Sequence, residues 1–196
     1  MTEERANATK ARTDQLAGEL LGSGSKVQKM AQEISALLFW EDPLHLCISG
    51  GAGSGKSSVA RRLAKILDVP VFDFDEFIPG GYHRDPKVYR KRFVDGMSSL
   101  WDALPRGPWI VEHVEACNDE MLRAFKPNAV LHLSPPASHA MSTAAARSAV
   151  AGEGPEEQYG REQRALESAV ISSNQFSKTP GKVIGQGRGW VLKKLG

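Results

Sequence analysis

The chain has 196 residues, 41% hydrophobic and 24% charged, with 25 Lys and Arg against 23 Asp and Glu for a formal charge of +2. These proportions suit one globular domain with enough apolar material to cover a central sheet on both faces. So small a net charge is no argument for nucleic acid by itself, and two cysteines give no disulfide framework or zinc site. No apolar run is long enough for a membrane span, and the N-terminus is polar, without the core of a signal peptide. A reducing cytoplasm is the expected compartment.

Residues 1–25 are rich in Ala, Thr, Glu, Arg, Gly and Ser and close on Leu-Gly-Ser-Gly-Ser, the composition of a flexible arm. Val27, Met30, Ala31, Ile34, Leu37 and Leu38 then recur at helical spacing, so a first helix is expected over 26–39, ended by Asp42-Pro43. Residues 44–49 form a short apolar run, with Cys47 inside it, that meets glycines at once; this suits a buried parallel strand. Val59, Ala60, Leu63, Ala64, Ile66 and Leu67 make a helical stripe over 56–67, and 69–74 reads as a second strand. Asp85-Pro86 is a helix start, with Asp as cap and Pro in the first turn. Val88, Tyr89, Phe93, Val94, Met97, Leu100, Trp101 and Leu104 are read as the core face of that helix, which Pro105-Arg106-Gly107-Pro108 stops.

Strands are expected at 109–114 and 129–133, a short helix at 118–126 and an Ala-rich helix at 138–150. After the turn at Gly152-Glu153-Gly154-Pro155 a further helix covers 156–172, with Leu166, Ala169 and Val170 as its most apolar turn. Residues 182–184 add a last short strand. No acidic residue follows Glu167, while Lys178, Lys182, Arg188, Lys193 and Lys194 do, so 186–196 reads as a basic, solvated tail behind a domain spanning 26–185. Strands alternating with helices at this spacing predict an α/β fold, a parallel sheet with helices on both faces, and a helical lid is expected with it.

Gly50-Gly51-Ala52-Gly53-Ser54-Gly55-Lys56-Ser57 fits G-x-x-x-x-G-K-[ST] without a mismatch, after a buried strand and before an amphipathic helix. Such a P-loop curls so that backbone N–H groups converge on phosphate oxygens at a helix N-terminus. Lys56 would reach the outer phosphates, Ser57 would take Mg²⁺ through its hydroxyl, and Ser58 lies in the same first turn. The spacing of Gly51, Gly53 and Gly55 is wrong for a dinucleotide G-x-G-x-x-G loop.

In sheets of this kind the remaining site residues lie at the carboxyl ends of the other strands. Asp73 and Asp75 stand there, and alternation along an extended backbone would put both carboxylates on one side. One would accept a proton from an attacking hydroxyl and the other would hold water bound to Mg²⁺. Arg161 and Arg164, three apart on a helix, share a face and would fold over phosphates, unless they are a solvated face paired with Glu157 and Glu167. Arg147 is a further lid candidate.

The run Phe72-Asp73-Phe74-Asp75-Glu76-Phe77 resembles the P-loop small-molecule kinases that include uridine kinase, phosphoribulokinase and nicotinamide riboside kinase. The resemblance implies that Asp75, followed by Phe77, is the catalytic base. It extends to Tyr82-His83-Arg84-Asp85-Pro86, similar to the family's turn before the next helix, with Tyr82 and His83 as substrate candidates. Trp109-Ile110-Val111-Glu112-His113 resembles the strand ending in Glu-Gly; it implies a place for Glu112 in the Mg²⁺ environment, and His113, which replaces the glycine, is with Asp73 a further substrate candidate. Gln158-Tyr159-Gly160-Arg161-Glu162-Gln163-Arg164 resembles the stretch after the lid.

One departure bears on the acceptor. Uridine kinases carry an insert before the glutamate strand that helps hold base and sugar, whereas here only four residues separate Leu104 from Trp109. The expected acceptor is therefore a hydroxyl on a small nucleoside-like metabolite, or on a larger molecule such as a hydroxymethylated base in DNA, as in P-loop kinases of phage DNA hypermodification. An open site and the basic tail favour the polymer. A kinase using ATP (or GTP) and Mg²⁺ is the expected activity; a switch or assembly factor that hydrolyses ATP without an acceptor is the alternative.

Overall fold

The computed structural model describes residues 26–38 and 43–196, so the arm expected over 1–25 lies outside them. In chain order the elements are α1 (Lys26–Leu38), β1 (His45–Gly50), α2 (Lys56–Leu67), β2 (Val71–Asp73), a 3₁₀ turn (Phe74–Phe77) and α3 (Pro86–Ala103). Then come β3 (Trp109–Glu112), α4 (Asp119–Phe125), β4 (Ala129–Leu133), α5 (Ala137–Ala151), α6 (Pro155–Lys178), β5 (Lys182–Gly187) and β6 (Trp190–Lys194). The sheet has six strands in the order β2-β3-β1-β4-β6-β5. The first four are parallel, and β5–β6 form an antiparallel hairpin on the β4 edge.

The pleat sends alternate side chains to opposite faces. Leu46 and Ile48 of β1 join Ile110, Leu131 and Leu133 against Met30, Ile34, Leu63 and Ile66 of α1 and α2. Cys47, Val111 and Val130 point the other way, into Phe93, Met97, Leu100, Met121, Phe125 and Phe176 of α3, α4 and α6. Three layers follow from that alternation. Local chemistry sets the boundaries: Asp85 caps α3 by accepting the Lys87 N–H at 2.8 Å, and Asn118 caps α4 by accepting that of Met121 at 2.7 Å.

Three expectations are corrected here. On α3, Phe93, Met97 and Leu100 are buried, but Val88, Val94 and Trp101 are exposed, Trp101 at 56% and resting its ring near Phe125. The apolar stripe is narrower than the count of apolar residues suggested. On α6, which runs six residues further than expected, the buried positions are Ala165, Ser172 and Phe176, while Val170 faces solvent.

The third correction is the C-terminus. Residues 186–194, expected as a solvated tail, are folded: β6 pairs with β4 from Leu133↔Trp190 to Ala129↔Lys194. A two-residue turn at Arg188-Gly189 closes the hairpin, with Gly189 at φ 78°, a conformation glycine adopts without strain. Trp190 and Leu192 lie in the α1–α2 layer. Lys193 donates to the Phe176 and Thr179 carbonyls at 2.9 and 2.8 Å, capping the end of α6. Of the basic residues read as a solvated end, Lys193 caps this helix, while Lys178, Lys182 and Arg188 are exposed.

Because Trp190 is fully buried, Trp190→Ala should lower unfolding free energy by about 3–5 kcal/mol. Arg188→Ala at the exposed turn should change it by less than about 0.5 kcal/mol. Guanidinium unfolding of the full chain measures both; a small Trp190→Ala effect would mean that the hairpin is not part of the folded core.

Candidate active site

β1 ends in Gly50 and turns directly into the loop ahead of α2. Gly55 caps that helix, whose first residue is Lys56, and the Val59 N–H donates to the Gly55 carbonyl at 2.9 Å. Lys56 Nζ donates to the Gly51 carbonyl at 3.3 Å, spanning the loop it would serve. A cleft of about 210 Å³ opens here, lined among others by Ala52, Gly53, Gly55, Lys56, Ser57 and Ser58 on the loop side. Ser54 Oγ is buried without a hydrogen-bond partner.

Asp75 and Glu112 line the opposite side of the cleft. Parallel pairing puts Glu112 between Asp73 on β2 and Ile48 on β1. Its carboxyl is pushed above the usual range by burial and by the neighbouring Asp73, while the Ser57 hydroxyl pulls the other way. Glu112 Oε1 is buried with no partner. An unpartnered buried carboxylate oxygen beside a second carboxylate and the P-loop serine is costly unless a cation completes it, so these residues fit Mg²⁺. Among the described residues no three His, Cys, Asp or Glu could hold a metal by themselves.

Asp73 and Asp75 do not stand on one extended strand, contrary to the alternation argument. β2 ends at Asp73, whose Oδ1 accepts the Asp75 N–H at 3.1 Å and starts the 3₁₀ turn. Asp75 is thereby rotated toward His113, whose Nε2 lies 3.2 Å from Asp75 Oδ1. That hydrogen bond, with help from the charge of Lys56, holds the Asp75 carboxyl below its ordinary range. His113 itself is 2% exposed. It is not among the residues that line the cleft.

Other expected substrate and lid residues are placed as follows. His83 Nδ1 accepts the Asp85 N–H at 3.1 Å within its own turn. Tyr82 is 73% exposed, its ring 5.4 Å from that of Tyr89, which in turn lies 6.1 Å from Phe93. Arg161 donates to both oxygens of Glu153 in the α5–α6 connection, through Nε at 2.9 Å and through Nη2, rather than to Glu157 or Glu167. Arg164 is exposed, and neither arginine borders the cleft. Arg147 lies on α5, with its side chain outside the described set.

The lid residue that does border the cleft was not singled out from the sequence. Ser168 Oγ accepts the Ala52 N–H at 2.8 Å and donates to the Ala165 carbonyl at 2.9 Å. A Cβ on Gly51 would stand 2.5 Å from Ala169 Cα, so the helix backbone rests on the loop. The signal was there in a stripe of small residues, Ala165, Ser168, Ala169 and Ser172, at i, i+3, i+4 and i+7. Tyr89 and Glu115 also belong to this region: burial and the nearby carboxylates of Glu115 and Asp75 raise the Tyr89 phenol above its ordinary range.

No protein-family model matches the chain, and no curated protein matches it by sequence. Among solved structures it is similar to a protein of Silicibacter sp. TM1040 described as a fructose transport system kinase, at 17% identity and a TM-score of 0.57, over 77% of this chain and 95% of that one. It is also similar to shikimate kinase from Acinetobacter baumannii in complex with shikimate, at 17% identity and a TM-score of 0.53, over 76% of this chain and 87% of that one. The architecture is thus a mixed α/β, mostly parallel sheet flanked by helices, of the kind found in P-loop kinases. Among the described residues no helix is long and apolar enough to cross a membrane.

The Gly51 contact is testable. Gly51→Ala must push α6 off the loop, and we expect a loss of about 1–3 kcal/mol of stability with faster hydrogen exchange at the Ala52 amide. Gly107→Ala, where nothing lies within 4 Å of the added carbon, is the control. Unchanged exchange at Ala52 would mean that the lid does not rest on the loop in solution.

Proposed function

We propose that this protein is a kinase that transfers the γ-phosphate of ATP to a hydroxyl group, in the manner of the uridine kinase-like enzymes its motifs resemble. The observation that carries the reading is convergence: loop, lysine, buried glutamate and an oriented aspartate line one cleft at the carboxyl edge of the sheet. Phosphoryl transfer needs positioning and charge stabilisation more than covalent help, and these are the groups that supply them.

Each residue then has a role. The loop N–H groups and Lys56 hold the phosphates, and Ser57 with Glu112 and Asp73 would hold Mg²⁺, which when bound neutralises phosphate charge. Asp75 accepts the acceptor's proton as a bond forms from its oxygen to the γ-phosphorus and the bond to the leaving phosphate oxygen breaks. A carboxyl held below its ordinary range is ionised at neutral pH and ready for that role. Arg161 or Arg164 would stabilise charge on the transferred group only after rearrangement, since Arg161 is bonded to Glu153.

The acceptor we infer is nucleoside-like, either a small molecule or a hydroxymethylated base in DNA. Of Tyr82, Trp101 and Trp109, the aromatic side chains on which a base could stack, Trp109 is buried with its ring stacked on His45, whereas Tyr82 and Trp101 are exposed. The basic C-terminus gives a polymer less to hold, because Lys193 is committed to capping α6.

Transfer of labelled γ-phosphate from MgATP to a panel of nucleosides, small alcohols and hydroxymethylated DNA tests the proposal. We expect label on one acceptor class, none with Lys56→Ala, and a loss of about 10²- to 10⁴-fold with Asp75→Asn while ATP still binds. Free phosphate with no labelled acceptor would favour an ATP-hydrolysing switch instead.

A further inference from the structure

Buried imidazoles need partners, and those of His113 define its proton. The Glu115 N–H, which can only donate, points at His113 Nδ1 at 3.1 Å. Nδ1 must therefore present its lone pair, and the ring proton sits on Nε2. That nitrogen faces Asp75 Oδ1 at 3.2 Å. The ring plane is fixed from two further sides: Phe74 meets it edge-on at 5.0 Å and 89°, and Phe93 at 5.8 Å and 52°. Phe74 and Phe93 in turn hold each other edge-to-face at 5.0 Å.

Asp75 needs such a constraint. Its side chain is 76% exposed and sits on a short 3₁₀ turn rather than on the sheet, so its carboxyl would otherwise sample several rotamers. Asp73 fixes its backbone N–H, but nothing in that contact orients its carboxylate. We infer that His113 is a positioning residue for this reaction: its Nε2–H grips Asp75 Oδ1 and turns Oδ2 toward the acceptor. The inference rests on the reading of Asp75 as the base. It also explains why a ring that does not line the cleft belongs at the end of β3, one residue past Glu112. The β3 backbone carries both the carboxylate beside Ser57 and the ring that aims the base, so one strand sets the distance between metal environment and proton acceptor.

Two measurements on the full chain test this. Ring-¹⁵N spectra of the histidines should show His113 as the Nε2–H tautomer, with an Nε2 resonance that moves in Asp75→Asn; a proton on Nδ1 instead would overturn the inference. MgATP turnover, with water as the acceptor, should fall by about 10- to 100-fold in kcat for His113→Leu, with KM for ATP within about twofold and cooperative unfolding retained. His113→Gln, which places an amide N–H at similar reach, should stay within about threefold of the natural protein. His113→Leu added to Asp75→Asn should cost nothing more.

If His113→Gln falls as far as His113→Leu, or if the His113→Leu and Asp75→Asn losses multiply, the histidine acts through packing and the inference fails. An Asp75→Asn loss with an unchanged His113→Leu rate would overturn this inference alone. An unchanged Asp75→Asn rate would overturn the base assignment, and this inference with it.

Discussion

The parallel pairing of β1 between β3 and β4 is the constraint on which the rest depends. Both edges of β1 are occupied, from His45↔Trp109 to Ile48↔Glu112 on one side and from Leu46↔Ala129 to Gly50↔Leu133 on the other. A slip of one residue would exchange the faces of Leu46, Cys47 and Ile48 and put each in the wrong apolar layer. Register is therefore held by packing on both sides of the sheet. Because parallel strands all end at one edge, that register also fixes where Gly50 releases the phosphate loop relative to Glu112 and Asp73.

Against this frame the polar groups divide into two kinds. Some of those away from the cleft are paired, although Ser35 Oγ, His45 Nε2, Ser148 Oγ and Gln175 Oε1 are buried without a partner. His132 lies between Ser49 Oγ at 3.4 Å and Ser173 Oγ at 3.3 Å, is stacked on Phe176, and is pushed down to about 4 by burial. Lys193 closes the end of α6. At the cleft, Glu112 Oε1 and Ser54 Oγ are buried without partners. Buried polar groups are normally paired, and among the described residues the exceptions fall both at the cleft and away from it. The two cysteines belong to the first kind, buried among apolar side chains with their thiols pushed up, Cys117 to about 11.

Much of the frame was legible in the residues. The P-loop octet, the helix after it, the Asp85-Pro86 start and the apolar runs of β1, β3 and β4 are local signals, each tied to backbone geometry within a few positions. The misreadings were of another kind. Val88, Val94 and Trp101 are apolar at helical spacing, but α3 packs through a stripe too narrow to include them. The packed face of α6 consists of small residues that a search for large apolar ones passes over, since it was close approach rather than apolar bulk that mattered. The glycines around Arg188 read as a loose end because their function, a turn and room for the Trp190 ring, exists only once β6 has found β4.

The sequence by itself located the candidate phosphate loop, because a P-loop is built by consecutive residues whose own backbone forms the cradle. It also determined the layered α/β class, since periodicity is a property of neighbours along the chain. Only the tertiary structure decided which carboxylate is oriented and by what. Asp75 and His113 are separated by 37 intervening residues, Ala52 and Ser168 by 115, and nothing local in either segment specifies the other. Those contacts are set by the twist and register of the sheet and by which face of α6 admits the loop, properties that appear only when distant elements compete to bury the same surface.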